Sequence, residues 1–297
     1  AKVVVQAIRA KKRKFVLGLA TGNTPVGLYK RLAKAVNDGV VNPENISTFN
    51  LDEYVGLPGN NTTERLLHPE SYAYFMIQQL FSCMEKKFGK THVPRGAEID
   101  QSKLVSEMGK SKGDWHFEGA HKGKAVVIRA SAKSEYLRHV KREILDGYLH
   151  SIQKAGGIHL HVVGVGGRGH IAFHESGIPL NHGMLLVKLD DNTVQNAVND
   201  GHFSSVKGSP QYAVSMGAGA VYKAKTVLLL ASGPRKTAPI AESLLGPVTA
   251  DVPISYSQRY AKAGGNMVYV IDREAAVRLK GHEAALGQKG ITIQNLN

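Results

Sequence analysis

The chain alternates short, continuous apolar runs with amphipathic stretches, and this rhythm constrains its fold more than any other feature. Runs at Phe15–Leu19, Ile46–Asn50, Gly123–Ile128, Ile158–Val163, Lys225–Leu230 and Asn266–Ile271 are mostly unbroken rather than alternating, as expected for strands covered on both faces. Amphipathic stretches at Pro25–Asn37, His68–Phe81, Ser134–Ala155, Arg235–Leu245 and Arg273–Leu279 read as helices between them. The first of these has a start signal, Thr24 as N-cap and Pro25 at the first helical position. The pattern predicts βαβ units and a mostly parallel sheet. A length of 297 residues suits one large α/β domain or two small ones. The stretch Glu85–Lys122, rich in Lys, Gly and Ser, breaks the rhythm. It reads as an irregular, elaborated surface insertion.

Charge and composition narrow the function classes. The formal net charge is +14, which taken alone suggests nucleic acid or an anionic surface. The excess is local. Residues 1–37 hold nine Lys or Arg and no acid, and residues 84–142 are net +7, so the rest of the chain is −2. No helix-turn-helix, RRM or KH pattern accompanies the basic segments, which argues against nucleic acid as a partner. No run reaches the about 20 apolar residues that span a bilayer, so no membrane partner is expected. The N-terminal segment has its charges after its apolar stretch, the wrong order for a secretory signal. Cys83 is the single cysteine. It permits no internal disulfide and no cysteine cluster for zinc, and a reducing, cytoplasmic location is the expectation.

Four turns at predicted strand ends contain residues suited to chemistry. After the first strand, Thr21-Gly22-Asn23-Thr24 runs straight into a helix. It offers backbone N–H groups, two hydroxyls and a helix N-terminus to one point, an arrangement that favours a phosphate. An ordinary βα loop would look the same locally. Asp52 and Glu53 follow the second strand. Adjacent carboxylates on extended backbone point opposite ways, so only one enters a cleft, where it can serve as a base. Gly164-Val165-Gly166-Gly167-Arg168-Gly169 matches G-x-G-x-x-G, with Asp190 about 20 residues on. The following residues, His170 to Glu175, lack helical periodicity, which argues against a dinucleotide site. A Gly-rich strand end that brings His170 and Glu175 into a cleft is the better reading, with the carboxylate orienting the imidazole. Last, Ser232-Gly233-Pro234-Arg235-Lys236 opens a helix, and Lys236 can reach an anion there. Together these turns suggest acid–base chemistry on a small phosphorylated molecule.

The blocks ATGNTPVGLY, TFNLDEYVGL, HPESYAYFM, GVGGRGHIAFHESG, PQYAVSMGAGAV and the turn Gly233–Lys236 resemble, in order and spacing, those of glucosamine-6-phosphate deaminases. This family is related to the 6-phosphogluconolactonases. The resemblance covers nearly the whole chain except 85–122, and it implies one domain over residues 1–297 with a Rossmann-like three-layer α/β/α sandwich. It implies no organic cofactor and no metal. It begins just before the family's first strand, so an N-terminal helix is expected to be missing. By similarity Asp52 is the base that moves a proton between C2 and C1. His170 opens the sugar ring, Glu175 supports it, and Thr21, Gly22, Asn23, Thr24 and Lys236 hold the phosphate. A sugar phosphate is then the partner, the products are a ketose 6-phosphate and ammonia, and a homo-oligomer is in keeping with the family.

Two departures qualify the resemblance. The family usually has Asp or Asn two residues before the histidine, where this chain has Arg168. A cation there is expected to disfavour the imidazolium, or else to face the substrate phosphate. The family also usually places an Asn-Ala-Arg or Asn-Ser-Arg run before the Pro-x-Tyr-Ala block. Gln195–Asp200 has no arginine, although Phe203 and Lys207 lie nearby and Lys207 could substitute. The alternatives are an isomerase or lactonase that releases no ammonia, or a sugar-phosphate-binding protein without catalysis.

Overall fold

In the computed structural model, which describes residues 1–11 and 13–296, eleven strands form two sheets. In chain order they are β1 (Phe15–Leu19), β2 (Ile46–Asn50), β3 (Asp52–Val55), β4 (Lys90–His92), β5 (Trp115–Glu118), β6 (Lys124–Ile128), β7 (Leu160–Val163), β8 (Met184–Lys188), β9 (Tyr212–Met216), β10 (Thr226–Ala231) and β11 (Asn266–Ile271). The first sheet has the order β11-β10-β7-β1-β2-β4 and all its pairs are parallel. The second, β3-β9-β8-β6-β5, is antiparallel throughout.

Helices cover both faces of the parallel sheet, giving a Rossmann-like α/β fold. On one face Leu17, Leu19, Leu160 and Leu228 pack against Val4, Leu28, Leu32 and Leu80 from helical segments. On the other, Val16, Val163, Val227 and Leu229 meet Val140, Ile144, Ile152 and Ile240. That second core also takes Val126, Leu186, Val214 and Met216 from the antiparallel sheet. The alternate residues Ala125, Leu185, Val187 and Ala213 fill a smaller core with Tyr54 and Phe173. Among the described residues no helix is long and apolar enough to cross a membrane.

Several expectations need correction. Gly123–Ile128 reads as a strand of the parallel sheet, but residues Lys124–Ile128 lie in the antiparallel one. A strand buried on both faces has the same unbroken apolar run in either kind of sheet. The stretch 85–122 is not irregular. It contributes β4 at the edge of one sheet, β5 at the edge of the other, and the helix Gln101–Lys110 capped by Asp100. Edge strands of only three and four residues, none of them fully buried, carry little periodicity. The N-terminal helix is present: Lys2–Ala10 buries Val4 and Ile8. Thr24 does not cap the next helix. Pro25 takes the cap position of Val26–Asn37, without a side-chain hydrogen bond. The helix expected from Arg235 starts at Thr237, after a 3-10 turn at Pro234–Lys236.

One glycine in the central strand sets how closely β1 and β7 can pack. Gly18 is the register partner of His161, and a Cβ at Gly18 would fall on the His161 ring. His161 is fully buried with neither ring nitrogen hydrogen-bonded among the described residues. Burial pushes its pKa down to about 3, so it packs as a neutral ring. Gly18→Ala forces this ring to move within a filled core. It is expected to destabilise the fold by about 1–3 kcal/mol, read as a lower urea midpoint at unchanged slope.

Candidate active site

The chain runs β1, β2 and β4 outward in one direction, then returns to β7, β10 and β11 on the other side of β1. The crevice at the carboxyl ends of β1 and β7 is therefore a topological switch point, where open α/β sheets bind ligands. The turns singled out from the sequence follow β1, β2, β7 and β10, four adjacent strands.

After β1 the Thr21–Thr24 turn faces solvent, with Gly22, Asn23 and Thr24 exposed and Gly22 at φ +107°. Its root is held from the helix behind it. The buried Tyr29 hydroxyl accepts from the Ala20 N–H at 3.1 Å and donates to the Ala20 carbonyl. Tyr29 thus sets where the turn leaves the sheet. Its only sequence signal is a position on the apolar face of the helix.

Leu51 alone separates β2 from β3, and the Leu51 N–H donates to the Leu19 carbonyl at 3.1 Å. Asp52 and Glu53 open β3, both buried, and their environments differ. Glu53 accepts from the Ser71 hydroxyl at 2.8 Å and the Ala73 and Tyr72 N–H groups at 3.0 and 3.1 Å. It caps the helix beginning at Tyr72, a structural role. Burial raises its pKa, moderated by these hydrogen bonds. The Asp52 carboxylate accepts no hydrogen bond among the described residues. Burial, reinforced by the Glu53 charge, pushes its pKa well above the usual carboxylate range. Of the two acids, Asp52 is the one left free to react.

After β7, residues Gly164 to Gly169 form turns with no helix behind them, so the dinucleotide fingerprint lacks the helix N-terminus it needs. A Cβ at Gly166 would overlap the His170 ring, so the imidazole lies directly on the Gly166 α-carbon. His170 Nδ1 is 3.4 Å from Glu175 Oε2, with Glu175 buried and His170 partly open. Burial alone would push Glu175 up. The His170 contact, with hydrogen bonds from Thr193 and the Asp190 main chain, outweighs this and holds it below the ordinary value. The turn is pinned by the Phe173 N–H donating to Ser215 Oγ at 3.0 Å and by the Ala218 N–H donating to His174 Nδ1 at 3.0 Å. Ala172 sits at φ +52°, a strained conformation of a kind that collects at functional sites. Ser215 is also the register partner of Asp52. One residue of β9 therefore links the histidine turn to the free carboxylate, and no local sequence pattern marks it.

Arg168 pairs with an acid rather than with the imidazole. Its guanidinium lies 3.6 Å from Asp190 Oδ2 and is half-exposed. Asp200, the acid where the family has its arginine run, pairs with Arg235 at 3.3 Å. Lys207 is exposed on the loop beyond, and Phe203 packs edge-on against Tyr54. After β10, Asp272 fixes the Ser232-Gly233 turn by accepting from Ser232 Oγ at 2.6 Å and the Gly233 N–H at 2.9 Å. Lys236 then reaches across to donate to the Val165 carbonyl at 2.6 Å, joining this turn to the Gly-rich one. Burial, together with Arg235, lowers its pKa.

No protein-family model matches the chain. Among curated proteins it is 33% identical over 276 residues to glucosamine-6-phosphate deaminase of Thermoanaerobacter pseudethanolicus, covering 93% of this chain and 88% of that protein. It is 31% identical over 280 residues to the enzyme of that name from Clostridium perfringens, covering 94% and 93%. A solved monomeric glucosamine-6-phosphate deaminase superposes with a TM-score of 0.69 at 26% identity, covering 93% of this chain and 92% of that one. The 6-phosphogluconolactonase of Thermotoga maritima, at 18% identity and a TM-score of 0.54 over 91% and 94%, shares the fold. Identities of 31–33% across more than nine-tenths of the chain, on a shared fold, make this chain a member of the glucosamine-6-phosphate deaminase family.

Proposed function

We propose that the chain converts glucosamine 6-phosphate and water to a ketose 6-phosphate and ammonia, as one catalytic domain whose two sheets share a core. The observation that carries this reading is the free, buried carboxylate of Asp52 beside the turn that holds the His170–Glu175 pair. Moving a proton between carbons next to a carbonyl needs a positioned base in a partly dry site and no redox step. His170, steadied by Glu175 on Nδ1, passes a proton to the ring oxygen and opens the sugar. Asp52 takes the proton from C2 and returns it to C1. The resulting imine at C2 is hydrolysed by water, and nitrogen leaves as ammonia. The Thr21–Thr24 main chain and Lys236 hold the phosphate, Lys236 reaching from the turn after β10 to the Gly-rich turn.

The test is incubation with glucosamine 6-phosphate, measuring ammonia and ketose phosphate together. Equal amounts of both are expected. Ketose phosphate formed from glucose 6-phosphate, with no ammonia released from glucosamine 6-phosphate, would make the chain an isomerase. Binding without turnover, seen as ligand-induced thermal stabilisation, would make it a sugar-phosphate-binding protein.

A further inference from the structure

Two carboxylates share one buried corner behind His170. Glu175 and Asp190 are both nearly inaccessible, and both pack on Gly123. A Cβ at Gly123 would come within 2.7 Å of Glu175 Cβ and 3.3 Å of Asp190 Cβ. Each acid has a different set of partners. Glu175 Oε2 faces His170 Nδ1 at 3.4 Å, and its Oε1 accepts the Asp190 main-chain N–H at 3.2 Å. Asp190 Oδ1 accepts from the Asn192 N–H at 2.9 Å and from its side-chain amide at 3.0 Å, capping the helix Asp191–Asn199. Asp190 Oδ2 accepts the Gly123 N–H at 3.3 Å and meets Arg168 at 3.6 Å.

Like charges this close in a buried corner repel unless each has its own cation. The arrangement supplies two: Arg168 on the open side of Asp190, and the imidazole on the inner side of Glu175. Arg168 stands two residues before His170, between Gly167 and Gly169. The backbone there is anchored, since the Ile254 N–H donates to the Gly169 carbonyl at 2.9 Å. The cation that reads from the sequence as hostile to an imidazolium therefore has an acid partner of its own in Asp190.

We infer that Asp190 is a positioning residue for the His170–Glu175 pair: its main-chain N–H fixes one oxygen of Glu175 so that the other is presented to His170, and Arg168 neutralises Asp190 so that the Glu175 charge serves the histidine alone. For catalysis this rests on the reading of His170 as the ring-opening group. The placement of the imidazole can be tested without it.

Asp190→Asn keeps the helix cap and the shape but removes the charge that holds Arg168. Asp190→Ala removes both. With glucosamine 6-phosphate, Asp190→Asn and Arg168→Gln should each lower kcat about tenfold, the scale of coupling between contacting groups, with KM little changed. The double variant should be no worse than Asp190→Asn alone, because removing Arg168 removes the orphaned cation. Side-chain nitrogen NMR of the substrate-free protein supplies a readout independent of activity. The Nδ1–H form of His170, which the Glu175 contact on Nδ1 is expected to favour in the wild type, should give way to a tautomer mixture in Asp190→Ala, or in Asp190→Asn if the alanine variant does not fold. Unchanged kcat together with an unchanged His170 spectrum in folded Asp190→Asn and Arg168→Gln overturns the inference. Multiplying rather than shared losses in the double variant overturn the Arg168 part. An inactive wild type whose His170 spectrum still responds to Asp190 would count against the proposed reaction, not against the positioning.

Discussion

Asp52→Asn is expected to abolish ammonia release while making the protein more stable at neutral pH. The kinetic loss should be about 10²–10⁴-fold in kcat, the scale of a positioned acid–base group, with little change in binding of the sugar phosphate. The stability gain follows from the same burial. Asp52 has a folded pKa raised well above that of the unfolded chain by burial and by Glu53. Its protonated form is the one the fold accepts, so its contribution is fully present below about pH 4 and is lost as pH rises through the raised value. Asparagine has nearly the same shape and no charge to desolvate. The melting temperature of Asp52→Asn should therefore exceed that of the wild type at pH 7–8, and the gap should close on acidification. Because the base must be ionised, the acidic limb of the wild-type kcat/KM profile should lie above the ordinary carboxylate range. A variant that loses activity without gaining stability would show that Asp52 is less desolvated than its burial implies. One that keeps activity would remove Asp52 from the mechanism.

Gly166→Ala is expected to cost about 10²-fold in kcat, whereas Gly167→Ala one residue later should leave kcat unchanged. The added methyl at 166 falls on the His170 ring, while a Cβ at 167 meets no atom within 4 Å. Neither glycine has a positive φ, so alanine strains neither backbone. The difference must come through the imidazole. His170 is partly open to solvent and can swing out without unfolding the turn, so both variants should melt close to the wild type. A displacement of about 1 Å at a reacting group is enough for a loss of this size. Full activity in Gly166→Ala would show that the ring need not rest on the Gly-rich turn. The same pair of variants separates catalysis from a general need for glycine in this segment.

Much of the frame was legible in the residues. The runs at Phe15–Leu19, Ile46–Asn50 and Asn266–Ile271 match three strands to the residue; Phe15–Leu19, buried along its whole length, is apolar throughout. The turns after β1, β2, β7 and β10 were likewise visible, since an abrupt change from an apolar run to Gly, Thr, Asp or His marks a strand end. The antiparallel sheet was hidden. β8 and β9 are as apolar as the parallel strands, and β3 begins at Asp52 itself, so hydropathy carries no mark of strand direction. The stretch 85–122 shows little pattern because its edge strands are only three and four residues long. The choice between Asp52 and Glu53 was open for a different reason. Alternation says that the two side chains diverge, but only packing shows that the Ser71 helix start receives Glu53.

Periodicity and turn chemistry are local properties of the chain, so the class of fold, the four strand-end turns and the residue types that arm them can be read from the order of residues. Which carboxylate is free, where the imidazole rests and what Arg168 pairs with emerge only on folding. Those outcomes depend on contacts between residues such as Glu53 and Ser71, Gly166 and His170, and Arg168 and Asp190. Such contacts are set by packing across elements and by the desolvation of charge, and neither is written in the order of residues along one strand or turn.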